Sequence, residues 1–285
     1  MRSLIKDLIV NDGTLVIPPD LGSIPDSSCA GREDIRRIVF PPTVYSIAPE
    51  AFAECTALEE VVFPESFLHV SAAAFLNCAA LSRVVLSGNL VSIEEGAFLG
   101  CTALRQLELP ETLEHIGEMA FWGSGLEEIV IPQRTERIAE NAFWDCASLR
   151  RADVLGAGTV IEKNAFGNCP SLTEGYIAPG FPQDDSAPAQ LLYTLLWCTC
   201  PERHTPQTAE RASVFVRAKE DLIMEKIMKT NNTAALAGLV SRSLLDPTHI
   251  DEYIRICAQE GSTELTALLL QARGSAVRAE EEFVL

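Results

Sequence analysis

The dipeptide Ala-Phe returns at a fixed step along this chain. Its phenylalanines are Phe52, Phe75, Phe98, Phe121, Phe143 and Phe166, separated by 23, 23, 23, 22 and 23 residues. A second column keeps the same phase: Leu58, Leu81, Leu104, Leu126, Leu149 and Leu172, begun by Ile35. A third is Ile47, Val70, Ile93, Ile116, Ile138 and Ile161, begun by Ile24. One unit of this length cannot bury its own apolar face. Units must stack, so that each column is buried against its own copy in the next turn.

Between the leucine and isoleucine columns lies a short segment of alternating inward and outward residues. Val61-Val62-Phe63-Pro64, Leu107-Glu108-Leu109-Pro110 and Ile129-Val130-Ile131-Pro132 are clear copies. Period-two alternation predicts a strand, and the proline, which has no N–H to give a ladder, ends it. Earlier copies are Leu15-Val16-Ile17-Pro18 and Ile38-Val39-Phe40-Pro41; Ala152-Asp153-Val154 and Gly175-Tyr176-Ile177 are degenerate later ones. About eight such segments run from residue 15 to residue 177. They predict one parallel sheet along a solenoid, with the Ala-Phe segments as short helical or irregular turns on the opposite wall.

The unit Ala-Phe-x-x-Cys-x-x-Leu-x-x-Val-x-x-Pro, carried by Ala51-Phe52, Cys55, Leu58, Val61 and Pro64, resembles the bacterial surface-antigen (BspA-like) leucine-rich repeat over residues 13–178. The resemblance implies an α/β leucine-rich-repeat solenoid. It also implies protein recognition and, in exported members, adhesion to host surfaces.

Pro179-Gly180-Phe181-Pro182-Gln183-Asp184-Asp185-Ser186 breaks the pattern and reads as a linker over 179–187 between a repeat domain (1–178) and a helical region (188–285). About five helices are expected there. The first holds Leu191, Leu192, Leu195 and Leu196, the second runs from Gln207 to Lys229, and the third from Ala234 to Leu245. The last two are Ile250–Gln259 and Glu264–Arg273, and Glu280-Glu281-Glu282 reads as a solvated tail. The stretch Thr248–Arg273 resembles an ankyrin-like helix pair. The region serves either as a cap on the last turn or as a binding module of its own.

Outward strand positions are the candidate contact residues. The central column is Val39, Val62, Val85, Glu108, Val130, Asp153 and Tyr176, and its first three members make an apolar stripe. Such a stripe marks either a contact site or the ordinary preference of strands for β-branched residues. The flanking column, Arg37, Glu60, Arg83, Gln106, Glu128, Arg151 and Glu174, alternates in charge and predicts cross-strand ion pairs. Trp122 and Trp144 follow the phenylalanines of adjacent repeats on the other wall, as a second contact patch or as wall filler.

Of nine cysteines, Cys55, Cys78, Cys101, Cys146 and Cys169 share one repeat position. Turns about 5 Å apart do not exclude disulfides between neighbours, but a buried thiol acts as a small apolar filler, and that is the expectation. Cys198-Thr199-Cys200 with His204, completed by Cys257, is the best metal-like cluster, although its Cys spacing is tighter than zinc sites use. His69 and His115 sit two turns apart, about 10 Å, too far to share an ion. No phosphate loop or Ser-His-acid motif stands out, and Gly156-Ala157-Gly158 lacks the strand-to-helix context.

The formal net charge of -18 disfavours nucleic acid and anionic membranes as partners. Lys6 and Asp7 interrupt any apolar leader, and Leu191–Cys198 is too short to span a bilayer, so the expected location is cytoplasmic. The sequence thus points to a non-catalytic module that binds a protein partner and needs no cofactor. An exported adhesin-like surface protein is the alternative, and an enzyme or metal protein built on the Cys-His cluster is the third.

Overall fold

The computed structural model describes residues 10–156, 158–172, 174–177 and 206–283. Two compact units are distinct in it, the repeats through Leu172 and the C-terminal helices.

The repeat unit opens on a hairpin. Asp12 and Gly13 hold positive φ of 48° and 73°, the geometry a two-residue type I′ connection requires. They turn β1 (Val10–Asn11) back along β2 (Thr14–Val16). The strands that follow are β3 (Ser23–Ile24), β4 (Arg37–Val39), β5 (Ser46–Ile47), β6 (Glu60–Val62), β7 (His69–Val70) and β8 (Arg83–Val85). Then come β9 (Ser92–Ile93), β10 (His115–Ile116), β11 (Glu128–Ile131), β12 (Arg137–Ile138), β13 (Arg151–Val154), β14 (Val160–Ile161) and β15 (Glu174–Ile177).

The expected parallel wall is present. After the hairpin, β2, β4, β6 and β8 pair in that order, as do β11, β13 and β15. Each rung advances one repeat: Leu15 faces Ile38, Val61 faces Val84, and Ile129 faces Ala152. These inward residues are buried, while Val16, Val39, Val62 and Val130 beside them are exposed. Glu108 lies outside the ladder, because none runs from β8 to β11. The gap coincides with the shortened step. Between Ser124 and Leu126 one residue is missing relative to Cys101–Leu104, and the chain crosses at Gly125. The Gly125 amide donates to the Cys101 carbonyl at 3.2 Å, and a Cβ there would collide with the Thr102 carbonyl oxygen.

A second parallel wall runs along the isoleucine column. It comprises β3 with β5, then β7, β9, β10, β12 and β14. Its strands are two residues long, too short to display alternation. Side-chain hydroxyls help where this ladder is interrupted between β5 and β7: Ser66 and Ser71 donate to the carbonyls of Val44 and Ile47.

The Ala-Phe turns close the coil. From Phe52 to Phe166 successive rings stack 5.0–5.7 Å apart, with planes within 3–9° of parallel. Each turn holds two residues at positive φ, four apart, such as Glu50 with Glu54, Ala73 with Asn77, and Gly96 with Gly100. The cysteine column lies beneath. Cys78, Cys101, Cys146 and Cys169 each donate S–H to the carbonyl of the phenylalanine one turn back, at 3.1–3.2 Å. Cys55 does the same toward Cys29, which holds the phenylalanine position of the first turn. All of these cysteines are buried, as the filler expectation requires.

The helical unit contains α1 (Pro206–Ala218), α2 (Glu220–Thr230), α3 (Thr233–Ser241), α4 (Ile250–Gln259) and α5 (Thr263–Phe283). The helix expected from Gln207 to Lys229 is broken at Lys219 (φ -138°, ψ 34°). Ala212, Val216, Ile223 and Ile227 keep helical spacing across the break, which is why the sequence reads as one element. Asn231 ends α2 at φ 49°, and the Asn232 side chain caps α3 by accepting from Ala235 N at 2.9 Å. The third helix stops at Ser241 rather than Leu245, just before Ser243 at φ 52°. The last runs through the expected tail. The expected linker (179–187) and the helix around Leu191–Leu196 lie outside the described residues.

Candidate functional site

The sheet wall presents its outward side chains in straight rows because every rung advances one repeat. Val16, Val39, Val62 and Val85 form such a row on β2, β4, β6 and β8, each 40–57% exposed. Val16 faces Val39 and Val62 faces Val85 in the register, so the row spans about 14 Å at one strand spacing per turn. Val16 was not among the expected contacts, although Leu15-Val16-Ile17 carries the same alternation as the later copies.

Beyond β8 the row changes character. Glu108 is exposed, and Val130 is 49% exposed on β11. Asp153, expected to point outward, is only 8% exposed. It turns toward its own strand neighbour: Arg151 donates through Nε and Nη2 to Asp153 Oδ2 at 3.1 and 2.8 Å. Residues two apart share a strand face, so Asp153 keeps the outward phase of Val130, its partner in the register, yet is buried there. Tyr176 belongs to β15, and its side chain lies outside the described residues.

The charged border is arranged largely as its alternation predicts. Glu60 sits between Arg37, at 2.7 Å, and Arg83. Arg36 pairs with Glu59 at 2.5 Å, and Arg105 with Glu127 at 3.0 Å. Glu128 faces Arg151 in the ladder but bonds Arg150 instead, at 2.6 Å. Exposed pairs of this kind add little stability. They hold the long side chains in place along one edge of the valine row.

On the Ala-Phe wall, Trp122 and Trp144 are half-buried, with ring centroids 6.0 Å apart at 50°. The Trp144 indole fills the space over Gly167, where a Cβ would overlap its six-membered ring. The pair therefore packs within its own column and still shows part of its surface.

Polar side chains also meet across the rungs. His69 Nδ1 lies 2.8 Å from Ser92 Oγ, and that hydroxyl donates to Glu94. A hydrolytic triad places histidine between serine and acid. Here serine occupies the middle, and its proton is directed to Glu94 rather than to the imidazole. The register sets β9 between His69 and His115. Burial pushes the thiols of Cys55 and Cys101 up to about 12, so neither supplies a thiolate near neutral pH. Among the described residues no three His, Cys, Asp or Glu side chains are placed to hold a metal ion. Cys198, Cys200 and His204 lie outside the described residues. No described helix is long and apolar enough to cross a membrane.

Comparison with models of protein families agrees with this architecture. A family model for the BspA type leucine rich repeat region matches in six copies, over residues 22–150 and 69–182. No curated protein matches the chain. Among solved structures, a leucine-rich repeat protein from T. pallidum is 25% identical, with a TM-score of 0.47 over 60% of this chain and 71% of that one. A leucine-rich repeat protein from Bacteroides ovatus is 21% identical, with a TM-score of 0.36 over 59% of this chain and 64% of that one. The pneumococcal vaccine antigen PcpA is 19% identical, with a TM-score of 0.43 over 59% of this chain and 52% of that one.

Proposed function

The chain belongs to the BspA-type leucine-rich repeat family, and from that premise we propose that it is a non-catalytic recognition module that binds a protein partner on its sheet face. The row of Val16, Val39, Val62 and Val85 carries this reading. Methyl groups aligned at strand spacing, with fixed ion pairs along one edge, give a partner an apolar strip to bury and a polar rim to orient it. The net charge of -18 favours a protein over a phosphate-bearing partner. Val130 continues the contact beyond the break in the ladder. Trp122 and Trp144 form a second patch on the other wall.

The test is affinity capture from cell extract and from surface extract with the wild-type chain beside a Val62→Glu/Val85→Glu variant. Both positions point outward, so circular dichroism should show an unchanged fold. A partner held by wild type and lost by the folded variant is the expected result. A partner held equally by both removes the sheet face as the site.

Membership in this family also favours a second reading, an exported adhesin-like protein at the cell surface. Protease or biotin labelling of intact cells separates the two locations: label on the native protein supports the surface, and protection supports the interior.

A further inference from the structure

The helical unit carries a groove lined by two of its helices. It lies between α2 and α4 and has a volume of about 450 Å³. Asp221, Glu225 and Met228 reach it from one face of α2, at spacings of four and three residues. Glu252, Ile256 and Glu260 reach it from α4 and its C-cap at spacings of four. The half-buried Met228 and Ile256, with the buried Tyr253 ring, supply the apolar lining.

The charge on this groove is one-sided. Four carboxylates line it against one ammonium, Lys229, which Glu225 already binds at 2.5 Å. Asp221 accepts only a neutral donor there, the Tyr253 hydroxyl at 2.8 Å. Among the described residues neither Glu252 nor Glu260 has a cationic partner. A separate observation points the same way. Glu220 is 9% exposed, and its Oε2 accepts from Asp246 N at 3.0 Å, while its Oε1 has no hydrogen-bond partner. That oxygen lies 3.7 Å from Nδ1 of the groove-lining His249, an ion pair when the ring is protonated. Glu220 thus adds a buried carboxyl beside the lining, set against His249 rather than a lysine or arginine.

We propose that this groove binds a basic amphipathic peptide segment, its lysine or arginine heads on the carboxylates and its apolar side chains on Met228, Ile256 and Tyr253. Basic side chains suit such a lining because their methylene stems lie on apolar surface while the charged head reaches the rim. The site does not depend on the sheet face, so either can fail without the other.

The test uses the full chain and a short fluorescein-labelled peptide of lysine and leucine arranged at helical period, followed by fluorescence anisotropy. A lysine–serine peptide of equal charge is the control ligand. A Glu252→Gln/Glu260→Gln variant removes two exposed groove charges, and Glu95→Gln/Glu118→Gln removes two from the repeats. Saturable binding of the lysine–leucine peptide is expected, weakened roughly tenfold by the groove variant and less than about twofold by the repeat variant. The lysine–serine peptide should bind several-fold more weakly. Equal loss in both variants, equal binding of both peptides, or no saturable binding overturns the proposal.

Discussion

The two units hold their residues in place by opposite means. In the repeats the backbone bonds run between turns: Phe52 N donates to Ala74 O, Phe75 N to Ala97 O, and Phe98 N to Ala120 O. Any surface feature there is one position copied along the stack, as the valine row is. In the helices the backbone bonds stay within each element, and a surface arises where unlike faces converge, as α2 and α4 do. The first arrangement yields rows, and the second yields a pocket with distinct residues on each side.

The largest break in this comparison should come from Phe98→Ala. The ring is fully buried between Phe75 and Phe121, and its loss should cost about 3–5 kcal/mol in urea unfolding followed by circular dichroism. A cost below about 1 kcal/mol would mean that the stack closes over the gap. A smaller effect, about 1–3 kcal/mol, is expected for Gly125→Ala, because the added methyl meets backbone at Thr102 rather than a side chain that can turn aside. The same substitution at Gly158, where nothing approaches, should leave stability unchanged and serves as its control.

The smallest effect belongs to the helices. Burial pushes the Glu220 carboxyl above the usual carboxylate range, against the hydrogen bond from Asp246 N and the nearby His249. A raised value means that the fold penalises the ionised form. The penalty is absent below the ordinary carboxylate pKa and complete above the raised one. Glu220→Gln stays neutral and keeps an oxygen for Asp246 N. Its melting temperature should therefore exceed wild type at pH 7, by less than about 1 kcal/mol in stability, and the advantage should shrink as pH falls through the carboxylate range. A pH-independent difference would show that the carboxyl charge is not the cause.

How far residues announced their structure depended on how many neighbours shared the instruction. Phe52 to Phe166 and Leu58 to Leu172 each repeat the same request, and the stack follows. The left-handed positions divide by residue type. One column, Gly31, Glu54, Asn77, Gly100, Gly123, Asp145 and Asn168, is rich in residues that accept positive φ and was open to reading. The other, Ser27, Glu50, Ala73, Gly96, Met119, Asn141 and Asn164, mixes such residues with ones that resist it, so residue type marks that column only in part. The second wall escaped notice because its strands are two residues long. Asp153 keeps the outward phase its alternation announced, beside Val130, but its burial left no sign in that alternation. The break at Lys219 was hidden because apolar spacing continues through it. The α2–α4 groove was invisible because Glu225 and Glu260 are 35 positions apart in sequence.

The in-register phenylalanine stack bears on how such a chain changes length. Each turn offers the next the same ring and the same row of carbonyls, and all but the Ser124 turn the same thiol donor. Excising one whole period therefore joins two surfaces that already match, and inserting one meets a ready seat on both sides. The single missing residue near Gly125 marks what happens off that rhythm: the ladder lapses locally while the rings beneath remain stacked. A gene for this molecule can stutter by 23 codons and still encode a foldable product. Its outward row would then lengthen or shorten by one valine-sized step at a time.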